Sequence, residues 1–466
     1  VSASSKHVLY AVVAFGALLR LTGLAVHSLW IDEAGTLYVA HAEDMVETLR
    51  GDRHPPLSFL LFRGWSALVG ESDAWLRLAP ALASIVSLCL LAKLAREWLV
   101  ERAVWIAVAI AAVSPLELWI AREVRMYAFV ECAALIAYVA ACEHLKQPRN
   151  WLIVAVFGAS AVATGMHYFG AFVGPTVALV SMAHWKDRDS RKRIVALSVA
   201  ALLGALAWLP WFASVYRDQA SVSAAFLSNF GLRTIAEFPA RLIVPTSDML
   251  PAWCVRLAYA AAILVTVACL VFVVDLVRER RRGCACAALV LATPPACALL
   301  VALVGPLSFL ARYFAASMPG ASLVIASGLA SLRWKWLRGL AVVSLLALLA
   351  TISYGVHSRN DREDWRTACE HVAREFRPGD RILSLTHLSD GYSQAPLVHY
   401  WRDAPELIRA LTTLEEAHTT SSAPGRLHVI YRETRYVAAE YRDLASRRRL
   451  VSTESLHGAI HRIVFD

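Results

Sequence analysis

Cys254–Leu276 reads CVRLAYAAAILVTVACLVFVVDL, and Arg278, Arg280, Arg281 and Arg282 follow almost at once. A helix of that length rises about 34 Å, enough to cross a hydrocarbon core of about 30 Å. A basic cluster at its end is what holds a membrane loop in the cytoplasm. The pattern repeats. Apolar runs of roughly 15–25 residues recur from Val8 to Tyr354, each bounded by short polar or basic stretches, and a span needs about 20. After His357 the runs stop. Hydrophobic residues make up 58% of the 466 and charged residues 18%, against about 45–50% and 25% in soluble domains. These features predict a polytopic α-helical membrane protein with a C-terminal soluble α/β domain.

The predicted spans are 8–26, 75–95, 103–120, 125–143, 151–165, 168–184, 194–212, 254–276, 284–304, 313–332 and 337–356, about 11 transmembrane helices. The apolar piece Leu57–Gly70 rises only about 21 Å, too little to cross, so it is expected to lie on the outer surface. With the amino terminus inside, the cytoplasmic segments hold about 17 Lys and Arg against about 8 outside. The clusters around Lys186–Arg193, Arg278–Arg282 and Arg333–Arg338 all fall inside. Trp119, Trp208, Trp211 and Trp253 fall at outer ends, and Trp98, Trp151, Trp185 and Trp334 at inner ends, as an interfacial aromatic belt requires. The first run carries no evident cleavage site and is read as an uncleaved helix.

A net charge of +9 raises nucleic acid as a partner, but the basic residues sit between apolar runs and no reading module accompanies them. Nucleic acid is excluded. Five of the nine cysteines (Cys89, Cys132, Cys142, Cys269, Cys297) lie in apolar runs as small buried hydrophobes. Cys284 and Cys286 are too few for a metal site, and Cys369 alone cannot staple the tail. In that tail, Asp361–Phe376 reads as an amphipathic helix stopped by Pro378-Gly379. Arg381–Leu385 and Leu427–Tyr431 read as strands, Tyr436–Arg448 as a helix and Ala459–Phe465 as a closing strand.

Two outer segments carry the chemistry. Leu29-Trp30-Ile31-Asp32-Glu33-Ala34 places adjacent acids at the membrane surface, where ionisable groups are expensive and point to a water-filled cavity. Arg53-His54-Pro55-Pro56-Leu57 opens the short surface helix, since proline suits a first helical turn, and the N–H groups of such a turn can receive an anion.

Set together, Arg20-Leu21-Thr22-Gly23, Trp30-x-Asp32-Glu33-Ala34, His54-Pro55-Pro56-Leu57 and Arg77-Leu78-Ala79-Pro80 resemble the GT-C glycosyltransferases. Arg122-x-x-Arg125-Met126-Tyr127, Arg312-Tyr313 leading to Pro319, and Asp361-x-x-Asp364-Trp365-Arg366 extend the match in the same order over nearly the whole chain. The resemblance is to bacterial members of the protein-mannosyltransferase-like family, which includes the lipid A aminoarabinose transferases. It implies a GT-C-like transmembrane domain over residues 1–356, whose first outer loop, 27–73, carries the active site. It also implies an extracytoplasmic α/β domain over 357–466 and a location in the bacterial cytoplasmic (inner) membrane, with the active face periplasmic.

The implied donor is a polyprenyl-phosphate sugar, with a glycan, lipid or protein as acceptor and membrane lipids as further partners. Asp32 takes the catalytic position, with Glu33 beside it. The lipid A transferases carry lysine directly before the paired prolines; here it is His54, whose charge depends on pH. Such a transfer needs a base for the acceptor hydroxyl and cations for the leaving phosphate. Arg125 and Arg312, with His54 and Arg122, are the expected phosphate ligands, because a guanidinium fork can bind two oxygens. Tyr127 and Tyr313 follow arginines at the interface and join them as candidates. His167, Tyr168 and Glu123 are auxiliary or acceptor candidates. An arginine at a span end also has an ordinary role as a snorkelling side chain. Asp32 and Glu33 could hold a divalent ion, but the arginines can neutralise phosphate without one, so neither metal nor other cofactor is expected. The alternatives are a polysaccharide ligase using a diphosphate-linked donor, and a flippase or transporter. The latter expects charges near midplane and repeated halves, neither of which is visible.

Reporter fusions at Lys192, Arg281 and Lys335 should report cytoplasm, and fusions at Asp44, Ala220 and Ser421 the outside. A cytoplasmic Ser421 would mean that an odd number of spans is misplaced.

Overall fold

A computed structural model describes residues 3–52, 54–185, 188–224, 238, 241–243, 252–279, 281–302, 310–358, 363–386, 390–419, 425–432, 448–455 and 460–466. Its contacts divide the chain into two units. One comprises Val1–Thr22, Val46–Leu61 and Arg77–Val356; the other comprises Gly23–Met45, Phe62–Leu76 and His357–Asp466.

The first unit is helical, and the chain is a multi-pass membrane protein. Seven described helices are long and apolar enough to cross a membrane, Tyr127–Lys146 and Lys335–Ser358 among them. Other predicted spans are shorter or broken. The run 103–120 divides into Glu101–Val113 and Pro115–Ile120. Ser114 ends the first and caps the second, its Oγ accepting from Glu117 N at 3.4 Å, and Pro115 takes the first helical position. The run 151–184 becomes Asn150–Met166, a 3-10 turn Tyr168–Phe172 and a helix Val173–Met182. His167 stands extended at the break. The reversal is tight enough that a Cβ on Gly170 would lie 2.0 Å from the Ala163 carbonyl oxygen, so only glycine fits. Predicted span 313–332 opens with a 3-10 helix, Ala311–Ser317, and continues as Met318–Ala330.

One polar group ties this bundle together. Arg20, 0% exposed, donates through Nε to Ser84 Oγ at 2.7 Å and through Nη2 to the Ala111 carbonyl at 3.1 Å. It also pairs with Glu117 Oε2 at 3.3 Å. Those contacts join Ala3–Leu21, Asp73–Trp98, Glu101–Val113 and Pro115–Ile120.

The second unit holds a five-stranded sheet: β1 (Arg381–Leu385), β2 (Leu411–Thr412), β3 (Leu427–Arg432), β4 (Leu450–Ser455) and β5 (Ile460–Phe465), ordered β2-β1-β3-β5-β4. β1 is parallel to β2 and β3, while β5 is antiparallel to β3 and β4. The predicted strands match β1, β3 and β5. The two strands that were not predicted are the two-residue β2 and the edge strand β4, which is largely exposed and lacks an apolar face. The predicted helix Tyr436–Arg448 lies, but for its last residue, outside the described residues. The amphipathic helix spans Trp365–Glu375, shorter than predicted because Asp364 caps it, accepting from Thr367 N at 3.2 Å.

Trp365, Cys369 and Val372 of that helix pack with Ile382, Ile430 and Ile460, and the same cluster contains Trp30 and Ile31. The sequence reading kept residues 27–73 wholly with the membrane part, whereas the contacts give Gly23–Met45 and Phe62–Leu76 to the α/β unit. Burial is the reason. Ile31 is 1% exposed and Trp30 7%, and side chains of this size are each worth about 1.5–3 kcal/mol when buried.

Asp380 locks the sheet's entry. Burial would push its carboxyl up, but the Arg426 amide (2.9 Å), His428 Nε2 (3.1 Å), the Arg377 amide (3.0 Å) and the Arg426 guanidinium (3.0 Å) hold it down to about 2. A depressed carboxylate stabilises the fold above its unfolded pKa near 4, and that contribution disappears as pH falls through about 2. Asp380→Asn should therefore be less protected than wild type at pH 7, with the gap closing between about pH 4 and 2. Hydrogen exchange of β1 and β3 amides in the full chain measures this.

Candidate active site

In the helical unit the fold gathers residues from four separated stretches. Asp52 and His54 precede the helix Leu57–Val69, and Asp52 Oδ1 receives both the His54 amide (2.8 Å) and Nδ1 (2.6 Å). Arg125 stands just before the helix Tyr127–Lys146 and meets His54 Nε2 through Nη2 at 3.2 Å. His167 comes from the break after Met166, its ring 5.6 Å from that of His54. Arg312 and Tyr313 come from the 3-10 helix, with Arg312 Cζ 5.7 Å from the Tyr127 ring centre. Tyr313 stacks on Tyr127 at 6.1 Å and lies 4.7 Å from His167. Phe169 and Phe314 wall the group on one side.

Electrostatically the cluster is cationic and sheltered. Arg125, His54, His167 and Asp52 are each under 10% exposed. Arg125 and Arg312 bring two guanidinium groups to this cluster, which suits an anion. Burial, followed by His54, Arg125 and Arg312, drives the His167 imidazole well below its ordinary pKa. Its Nδ1 accepts from Phe169 N at 3.2 Å, so a neutral His167 carries its proton on Nε2.

Other predicted residues are engaged elsewhere. Arg122 donates to the Leu19 carbonyl and to Thr22 Oγ1, at the end of the first helix. Glu123 receives the Trp119 indole N–H. Tyr168 packs edge-on against Phe212 at 5.5 Å.

Asp32 and Glu33 belong to the α/β unit, in the first turn of Ile31–His41. Glu33 is 0% exposed and its Oε2 accepts from the Trp30 amide at 3.2 Å, so it caps its own helix. Asp32 is partly exposed. The turn is held by groups the sequence reading did not single out. Glu363 Oε2 accepts from Ile31 N at 3.0 Å and from Trp365 Nε1 at 2.6 Å, while Oε1 pairs with Arg432 at 3.0 Å. Tyr400 Oη accepts from Leu29 N at 2.7 Å and donates to Asp73 Oδ2 at 2.9 Å. Asp73 in turn binds Arg366 at 2.5 Å and His399 at 3.1 Å. Glu363 lies inside the quoted Asp361–Arg366 motif and Asp52 is two residues from His54; that adjacency was the only available signal.

The family model described as dolichyl-phosphate-mannose-protein mannosyltransferase matches residues 53–212. ArnT from Cupriavidus metallidurans in the apo state is similar in structure, with a TM-score of 0.60 at 14% identity over 99% of this chain and 98% of that one. The same protein bound to undecaprenyl phosphate gives 0.59 at 13%, over 99% and 98%. The oligosaccharyltransferase AglB from Archaeoglobus fulgidus, in complex with an inhibitory peptide and a dolichol-phosphate, gives 0.51 at 12%, over 99% of this chain and 74% of that one. No curated protein matches in sequence. The chain shares the fold of these proteins, and about a third of it matches that family model.

Glu363→Ala strands the buried Ile31 amide and the Trp365 indole, and an orphaned buried donor costs about 1–3 kcal/mol. Amides of residues 31–34 should exchange faster in that variant, and much less so in Glu363→Gln, which keeps an acceptor. Equal protection in Glu363→Ala and wild type would remove Glu363 as the support of the turn.

Proposed function

We propose that the chain transfers a sugar from a polyprenyl-phosphate donor to an acceptor hydroxyl at the outer face of the bacterial cytoplasmic membrane. The pair of guanidinium groups on buried Arg125 and half-buried Arg312, with His54 against Arg125, carries this reading. A lipid phosphate leaves with its negative charge as the bond to the anomeric carbon breaks, and donors fixed beforehand in a sheltered site stabilise that charge most. Tyr127 and Tyr313 orient the cluster, and His167 supplies a neutral N–H. Undecaprenyl phosphate in ArnT and dolichol-phosphate in AglB, on the same fold, support a lipid-phosphate donor. The charge asymmetry of the loops supports the outward face. No metal is assigned a part, because the arginines suffice for charge.

Asp32 is the general base that takes the acceptor's proton as the new bond to oxygen forms. Its partial exposure supports this, and Glu33 is already committed to its helix. Arg122, Glu123 and Tyr168 are left with supporting roles. The acceptor is a glycan, lipid or protein hydroxyl.

Asp32→Asn should keep donor binding and lose about 10²–10⁴-fold in single-turnover transfer. Glu33→Gln should lose less turnover and show its deficit in stability. In the same assay, Arg125→Ala and Arg312→Ala should weaken donor binding about 10- to 150-fold, the worth of a charge-assisted bond. Near-normal transfer by Asp32→Asn would remove it as the base, and unchanged donor affinity in both arginine variants would refute the phosphate site.

A further inference from the structure

We propose that Asp52, His54 and Arg125 form a proton-dependent phosphate ligand, in which binding of the phosphate is accompanied by uptake of one proton on His54 Nε2. The inference rests on the polyprenyl-phosphate reading above and adds a property to that site. It begins from hydrogen-bond directions. A guanidinium donates and cannot accept, so the 3.2 Å contact from Arg125 Nη2 requires a lone pair on His54 Nε2. The ring proton then sits on Nδ1, aimed at Asp52 Oδ1 at 2.6 Å. His54 is a neutral imidazole in this arrangement, its orientation fixed by a carboxylate that also holds its amide.

Phosphate changes the balance. Once its oxygens take the Arg125 N–H groups, Nε2 loses its donor and faces an anion. An imidazole with a carboxylate on one nitrogen and a phosphate on the other is stabilised in its cationic form by both neighbours. The proton comes from solvent, and no covalent bond changes. Asp52, Arg125 and His167 meet the His54 ring, Tyr127 and Tyr313 meet His167, and Arg312 meets Tyr127. His167 cannot substitute, because it is buried and its Nδ1 already accepts from Phe169 N.

A lysine at position 54 would carry a fixed charge next to Arg125. His54 with Asp52 supplies the charge only when the phosphate is present, so Asp52 is a positioning residue acting through His54.

The test is isothermal titration of the full-length protein in detergent with geranyl phosphate at pH 8, in two buffers of different ionisation enthalpy. At that pH the probe is mostly dianionic, its second pKa lying near 6. Wild type should take up close to one more proton per phosphate than His54→Lys, which should still bind. Between pH 7.5 and 8.5 wild-type affinity should fall about tenfold relative to His54→Lys, the linkage expected for one proton. Asp52→Asn should lose most of the uptake, and Asp52→Glu should recover part of it. Equal proton counts in wild type and His54→Lys would overturn the proposal while leaving the phosphate site in place. Failure of wild type to bind at any pH would overturn the polyprenyl-phosphate reading and this proposal with it.

Discussion

A guanidinium enclosed among membrane helices has to be fully partnered, and Arg20 meets that requirement by reaching Ser84, the carbonyls of Gly16, Ala111 and Ala112, and Glu117. Removing one side of such a buried pair costs about 3–5 kcal/mol, because the other charge is left without water. The consequence for position is larger than the consequence for stability. Glu117 lies in Pro115–Ile120, and the chain leaves that short helix into the turn that ends at Arg125. Arg122 in that turn is itself bound to the end of the first helix. The place of Arg125, and with it the contact to His54, is therefore fixed by polar groups well inside the bundle.

The phosphate candidates share a second feature: they sit where regular helix is interrupted. His54 precedes a helix opened by two prolines, His167 occupies the extended residue between two helices, and Arg312 and Tyr313 lie in a 3-10 segment. Backbone that breaks from a helix within a membrane protein is tolerated where protein or a cavity satisfies it. Such breaks turn side chains inward that a continuous helix would carry past.

The α/β unit uses different physics. Trp30 and Ile31 enter its core, Glu363 and Tyr400 receive the amides of Ile31 and Leu29, and Glu33 closes the turn. Asp32 is the residue of that turn left partly exposed, while its neighbours on both sides are buried. A carboxylate held by a turn whose own polar groups are satisfied has little conformational freedom left to lose.

Much of this was present in the sequence alone. Run length and the distribution of arginines determine a multi-pass helical protein with a separate tail, because hydrocarbon thickness and the cost of burying charge act on composition directly. Alternation and amphipathic spacing marked β1, β3, β5 and the helix beginning at Trp365. Motif order marked Asp32, His54, Arg125 and Arg312. Tertiary structure decided the rest. It broke the run 103–120 at Ser114, where a cap and a proline outweigh apolar continuity, and it assigned Trp30 and Ile31 to a core formed by residues more than 300 positions later. It brought Arg125 and His167 to His54, while Arg122, three residues from Arg125, binds the end of the first helix and Tyr168, adjoining His167, packs on Phe212. Direction is the physical reason: spacing along a chain sets which residues share a helix face, while the partner that satisfies a buried charge is chosen only when the helices pack.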